Sequence, residues 1–175
     1  MKKTLVSTAV VAALAFCGVS AHASCMDPSN AGRPMGPMNF NHGSLPFHGG
    51  HNAGDNIVGT WHVIYTPDGT TTESGEAFIQ WHSDGTEWEN INYPVLNGNI
   101  CMGSWKTVDQ WHVTRNHVGW LYNSGTLAGW FNETETDVVA PDGNSYSGTN
   151  ETTLYFTGMA PTILKGTAAA TRIAP

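Results

Sequence analysis

The sequence predicts an all-β fold: a single eight-stranded, up-and-down antiparallel β-barrel preceded by an irregular N-terminal tail. Three observations predict it. From Asn56 onward, runs rich in Val, Ile, Thr, Trp and Tyr recur at strand length. Turn-forming pairs such as Asp84-Gly85, Asn97-Gly98 and Asp142-Gly143 separate them, and Asp-Gly and Asn-Gly supply the positive φ that tight hairpins need. No stretch sustains a helical period. Strands are expected near 56–66, 75–83, 86–92, 100–107, 111–122, 126–139, 144–156 and 162–173. Eight consecutive hairpin-linked strands close most naturally into a barrel, with a β-sandwich as the alternative.

Two segments precede the barrel. Lys2 and Lys3, an apolar run over 5–19 and Ala21-His22-Ala23 form the pattern of a secretory signal peptide over 1–23. The apolar run is short for a membrane span. Leu14-Ala15-Phe16-Cys17 matches a lipobox only loosely, because Phe16 stands where a small residue is wanted. The expected product is an exported, periplasmic or secreted chain. Residues 24–55, rich in Gly, Pro, Asn, Met and His, read as an irregular tail, leaving 56–175 as the barrel domain.

Removal of residues 1–23 leaves 152 of the 175 residues, enough for one domain with a sizeable core. Lys2 and Lys3 leave too, so 5 basic residues face 14 acidic ones and the net charge becomes −9. Such a chain repels phosphate backbones and anionic lipid, so neither nucleic acid nor membrane insertion is expected. A cationic or neutral ligand remains open. Cys25 and Cys101 are the two cysteines of the exported chain, and an oxidising compartment favours a disulfide between them. Separate thiols, or a bridge from Cys25 to another subunit, are the alternatives. Oligomeric state is not legible.

Gly59-Thr60-Trp61 lies early in the first strand and Arg172 near the end of the last. In an up-and-down barrel those two ends meet, and a guanidinium over the indole face would cap the base. This arrangement resembles the calycin superfamily, the lipocalins and their relatives, whose first strand carries G-x-W and whose last carries a stacking Arg. The motif residues are Gly59, Trp61 and Arg172, and the strand pattern spans about 120 residues. The other lipocalin sequence blocks and the C-terminal helix are missing, so the resemblance is to a minimal bacterial calycin. Allene-oxide-cyclase-type barrels are more distantly similar in shape. The resemblance implies structural roles for the three motif residues. It also implies a closed base near the turns at 83–86, 107–111 and 140–143, and a mouth at 66–74, 93–99, 122–126 and 157–162.

Three clusters carry candidate chemistry. In QWHSDGTEWEN (80–90), a two-residue Asp84-Gly85 turn would pair Trp81 with Trp88 and His82 with Glu87 on opposite faces. Apolar-in patterning points the tryptophans inward. The inverse would line the lumen with a His82–Glu87 acid–base pair, with His117 as another candidate base. Around the mouth, Tyr65, Asn90, Asn92, Tyr93, Trp120 and Tyr122 are candidate walls for a small, mostly apolar or aromatic ligand. In the tail, His42, His48 and His51 with neighbouring methionines suit copper or zinc by ligand type. Their spacing matches no recognised metal motif, and a solvated tail is the simpler reading. On β-period grounds Val113, Arg115, His117, Gly119 and Leu121 share one face, while the run Glu133-Thr134-Glu135-Thr136-Asp137 most simply faces water.

No P-loop, dinucleotide fingerprint, G-x-S-x-G, H-E-x-x-H or C-x-x-C occurs. The function expected from sequence is therefore small-molecule binding inside an exported barrel, without a cofactor. A cofactor-free isomerase, cyclase or lyase using a His–carboxylate pair is the first alternative. Copper or zinc handling through the tail is the second.

Overall fold

The computed structural model describes residues 52–174. The expected signal peptide, Cys25, and the tail histidines His42, His48 and His51 all lie outside the described residues. A short helix α1 (Ala53–Ile57) leads into eight strands: β1 (Gly59–Pro67), β2 (Gly75–Trp81), β3 (Thr86–Ile91), β4 (Ile100–Thr107), β5 (His112–Asn123), β6 (Thr126–Val139), β7 (Ser145–Phe156) and β8 (Thr162–Arg172). All neighbours pair antiparallel in sequence order, and β1 pairs with β8 to close the barrel. Closure decides against the sandwich, because no sheet edge remains. The first strand begins at Gly59, later than expected. Residues 53–57 instead form one helical turn, capped by the Asn52 side chain accepting from the Asp55 N–H at 3.1 Å.

That turn closes the base. Ile57 is fully buried, and its carbonyl accepts from Trp61 Nε1 at 2.7 Å. Trp61 pairs in register with Arg172, whose guanidinium carbon lies 4.2 Å from the indole centroid. The same guanidinium donates to the carbonyls of Gly143 (2.5 Å), Val58 (2.8 Å) and Asn56. A side chain at position 59 would meet the Arg172 guanidinium, and Gly59 sits at φ +139. Glycine is needed there for both reasons. Tyr146 packs edge-on against both Trp61 and Trp81 in this lower, apolar layer.

The hairpin between β2 and β3 corrects the expected register. Trp81 pairs with Glu87, and the His82 N–H donates to the Thr86 carbonyl at 2.9 Å. The loop is therefore Ser83-Asp84-Gly85, three residues instead of two. Gly85 lies at φ +85, and Asp84 Oδ1 accepts from the Thr86 N–H (2.9 Å) and hydroxyl (2.6 Å). Three-residue loops of this kind place a glycine in the left-handed region. One extra loop residue moves every β3 side chain to the other face. Trp81, Glu87 and Glu89 all point inward, while Trp88 is 48% exposed. Trp105 Nε1 bonds the His82 and Thr86 carbonyls and secures the loop.

Two outcomes follow for stability. Arg172→Ala removes three carbonyl hydrogen bonds and the cation–π cap, and should lower the unfolding free energy by about 3 kcal/mol in urea titration. Gly85→Ala imposes a left-handed conformation on a residue with a Cβ, and should cost about 1 kcal/mol by the same measurement.

Candidate functional site

Above the apolar base, the barrel interior is charged. Alternation along each strand delivers Tyr65 from β1, Glu87 and Glu89 from β3, Arg115 and His117 from β5, and Glu133, Glu135 and Asp137 from β6. Each of these side chains is essentially fully buried. β7 adds Asn150 and Thr152. The run 133–137, expected to face water, lines the lumen instead. Phe131 and Val139 bracket it on the same face of β6, just as Val113 and Leu121 bracket Arg115 and His117 on β5. Apolar residues at both ends of one face were the signal that marked these charges as interior.

Glycines make the room. A Cβ on Gly103 would lie 2.5 Å from His117 Cβ and 2.6 Å from a Glu87 carboxylate oxygen. One on Gly148 would collide with an Asp137 oxygen, and one on Gly119 with the Phe131 ring. Small residues thus stand opposite large ones around the barrel, which is how a closed interior reaches native density.

Arg115 is the hub. Nη1 donates to Glu89 at 3.1 Å and lies 3.6 Å from Glu87. Nη2 donates to the Tyr65 hydroxyl (2.7 Å), Glu135 (3.0 Å) and Glu133 (3.3 Å). The Tyr65 hydroxyl in turn donates to Glu89 at 2.8 Å. His117 sits between two carboxylates, with Nδ1 3.3 Å from Glu87 and Nε2 3.0 Å from Glu133. Thr152 donates to the other Glu133 oxygen at 2.5 Å.

Arg115 Nη1 also lies 3.1 Å from His117 Nδ1. That contact suits a neutral ring accepting from the guanidinium, whereas the flanking carboxylates favour the imidazolium. The carboxylates win, because five buried acids face only two basic groups. Burial and Arg115 push the His117 imidazole down, but Glu133 and Glu87 together carry it up to about 10. Burial pushes Glu133 up, and His117 and Arg115 outweigh it, bringing the carboxyl down to about 2. Glu87 is lowered against its burial by the same two cations. Glu89 goes the other way, since burial exceeds the help from His117 and Arg115. Asp137 is raised strongly, first by burial and then by the neighbouring Glu135 carboxylate. Ionised carboxylates and acids inclined to keep their proton therefore stand side by side.

The sequence-derived candidates divide clearly. Glu87 and His117 come together in the lumen, and Tyr65 joins them through Glu89 and Arg115. His82 lies on the outer side of the basal hairpin, bonded to Thr86. Tyr93 is buried near the mouth, whereas Asn90, Asn92, Trp120 and Tyr122 are on the outer surface. Cys101 is buried on β4. Arg115, Glu133, Glu135, Asn150 and Thr152 are interior residues absent from the sequence-derived site. Among the described residues, no group of three or more His, Cys, Asp and Glu could hold a metal ion.

The closed eight-stranded antiparallel barrel is compatible with a calycin-like fold. No family model, curated protein or solved structure matches the chain. The reading of function therefore rests on the interior itself.

The shifted acidities set a pH dependence of folding. His117 gains protons on folding, so its contribution is full below about 6.5 and is lost as pH rises through about 10. Glu89 and Asp137, also raised, lose stabilisation in the same direction from a more acidic start. Glu133 and Glu87 are lowered, so their contribution is full above about 4.5 and is lost on acidification, for Glu133 through about 2. Urea unfolding should give maximal stability near pH 4.5, a loss on acidification below it, and a decline above it that steepens beyond about 6.5. His117→Gln should flatten the alkaline decline above pH 6.5.

Proposed function

We propose that this protein is an exported, calycin-like barrel that binds a small molecule in its lumen, the ligand having an apolar or aromatic body and a polar head. The observation that supports it most is a set of buried polar atoms without hydrogen-bond partners around the Arg115 hub: Glu89 Oε1, Glu135 Oε1, and both side-chain atoms of Asn150. Buried polar atoms are normally satisfied, and an orphaned cluster is accounted for by a ligand, an ion or a functional role. Toward the mouth the lumen becomes apolar, with Ile91, Phe131, Leu154, Leu121 and Tyr93 buried there. Apolar walls above a few convergent polar groups are the usual make-up of a small-molecule site.

This reading moves the polar part of the pocket from the rim residues Asn90, Asn92, Trp120 and Tyr122 to the interior, and keeps Tyr65 and Tyr93. Export by the 1–23 segment, and a Cys25–Cys101 disulfide tying the tail to β4, belong to the same proposal. Native mass spectrometry of protein purified from its own compartment should report a stoichiometric organic adduct. A consistently empty protein whose lumen is filled by side chains in solution would sink the reading.

A second reading has its own support. His117, held between Glu87 and Glu133, has the geometry of a general acid flanked by two proton acceptors. A cofactor-free isomerase or lyase would use such a group to move a proton on a ligand held away from bulk water. In deuterated buffer, the wild type would then introduce deuterium at a carbon of its bound ligand, and His117→Asn would not. Absence of carbon-bound deuterium in the wild type removes this reading and leaves the binding one standing.

A further inference from the structure

Five carboxyl groups, Glu87, Glu89, Glu133, Glu135 and Asp137, share the lumen with two basic side chains, Arg115 and His117. With both bases charged and all acids ionised, the lumen carries three negative charges that no protein cation matches. In a low-dielectric interior this excess must be removed by protons or by a cation from outside. Six of the ten carboxylate oxygens, both of Glu87, both of Asp137 and one each of Glu89 and Glu135, accept no hydrogen bond, and the other four are engaged. Glu89 Oε2 takes the Tyr65 hydroxyl and Arg115, Glu133 takes His117 and Thr152, and Glu135 Oε2 takes Arg115.

Asn150 is a separate observation. It is 4% exposed, it lies on the inward face of β7 directly opposite Glu135, and neither its Oδ1 nor its Nδ2 has a partner. A buried amide left without hydrogen bonds is costly. Across from it, β8 presents Gly166, Ala168 and Ala170 to the interior, with the half-buried Leu164 next in phase. Small side chains therefore stand beside the orphaned amide.

Resting on the luminal binding reading, we infer that the polar head of the ligand is a primary ammonium, seated against Glu135 Oε1, Asn150 Oδ1 and Glu89 Oε1. An ammonium brings one positive charge and three N–H donors. Three buried, unpartnered oxygens around one guanidinium supply the acceptors. A metal ion fits less well, since no described residues converge as metal ligands. An anionic head would add to the unmatched charge.

The test uses the mature, folded protein and three probes of similar size that share a phenyl body: phenethylamine, 2-phenylethanol and phenylacetate. Isothermal titration calorimetry at neutral pH should give a dissociation constant for the amine at least tenfold below that of the alcohol, and no saturable binding of the acid. Asn150→Leu keeps the side chain's volume without its amide and should weaken amine binding tenfold or more. Glu135→Gln should do the same. If Glu135→Gln fails to fold, Asn150→Leu decides. Equal binding of alcohol and amine overturns the ammonium head while leaving a luminal binding site intact. Preferred binding of the acid overturns it as well. Failure of all three probes, together with an empty protein by native mass spectrometry, overturns both the head group and the luminal site.

Discussion

The Arg115 guanidinium is the interaction on which this barrel's interior depends. It reaches Glu89 with one nitrogen and Tyr65, Glu133 and Glu135 with the other, so residues from β1, β3, β5 and β6 are tied through one side chain. Arginine suits the position because its planar fork carries several donors and keeps its charge when buried. Breaking a buried pair by removing one partner leaves an uncompensated charge, which is far more damaging than never having built it. Taking Arg115 away would leave four contacting carboxylates facing each other in a sealed space. The interior is therefore held together by a charge that the surrounding acids require.

Two layers with different physics divide the work. The base is conventional: Trp61, Trp81, Tyr146 and Ile57 exclude water, and Arg172 ties the chain ends through carbonyls and an indole face. Its stability comes from apolar burial and satisfied backbone groups, and it needs no ligand. The middle layer contributes little of that kind and carries more buried acids than bases, together with orphaned polar atoms. Separation of a stable base from a strained, polar middle is what permits a functional site to be kept in a small barrel, because the cost of one is offset by the other.

Much of the fold was legible because strand periodicity and turn chemistry are local. All eight strands fall within a few residues of their expected spans, and the Trp61–Arg172 contact follows from strand parity. The interior site was only half legible. Placing Arg115 and His117 on one face required only alternation, but whether that face looked in or out did not follow. Glu133, Glu135 and Asp137 were assigned to water because isolated carboxylates avoid interiors. Their burial is tolerable only beside Arg115 and His117, partners on the single neighbouring strand β5 that lie 16 to 22 residues away along the chain.

The segment QWHSDGTEWEN shows where the boundary lies. By itself the sequence determined a hairpin centred on Asp84-Gly85, eight antiparallel strands and a capped base, since each rests on local backbone preference or strand parity. It did not determine the length of the turn. A two-residue loop would have put Trp81 with Trp88 and left Glu87 with His82. The three-residue loop puts Trp81, Glu87 and Glu89 in the lumen, and sends His82 and Trp88 outward. Only the tertiary structure decided that, because the preference between the two loops is small. The Glu87–His117 and Glu89–Arg115 contacts exist in one register alone.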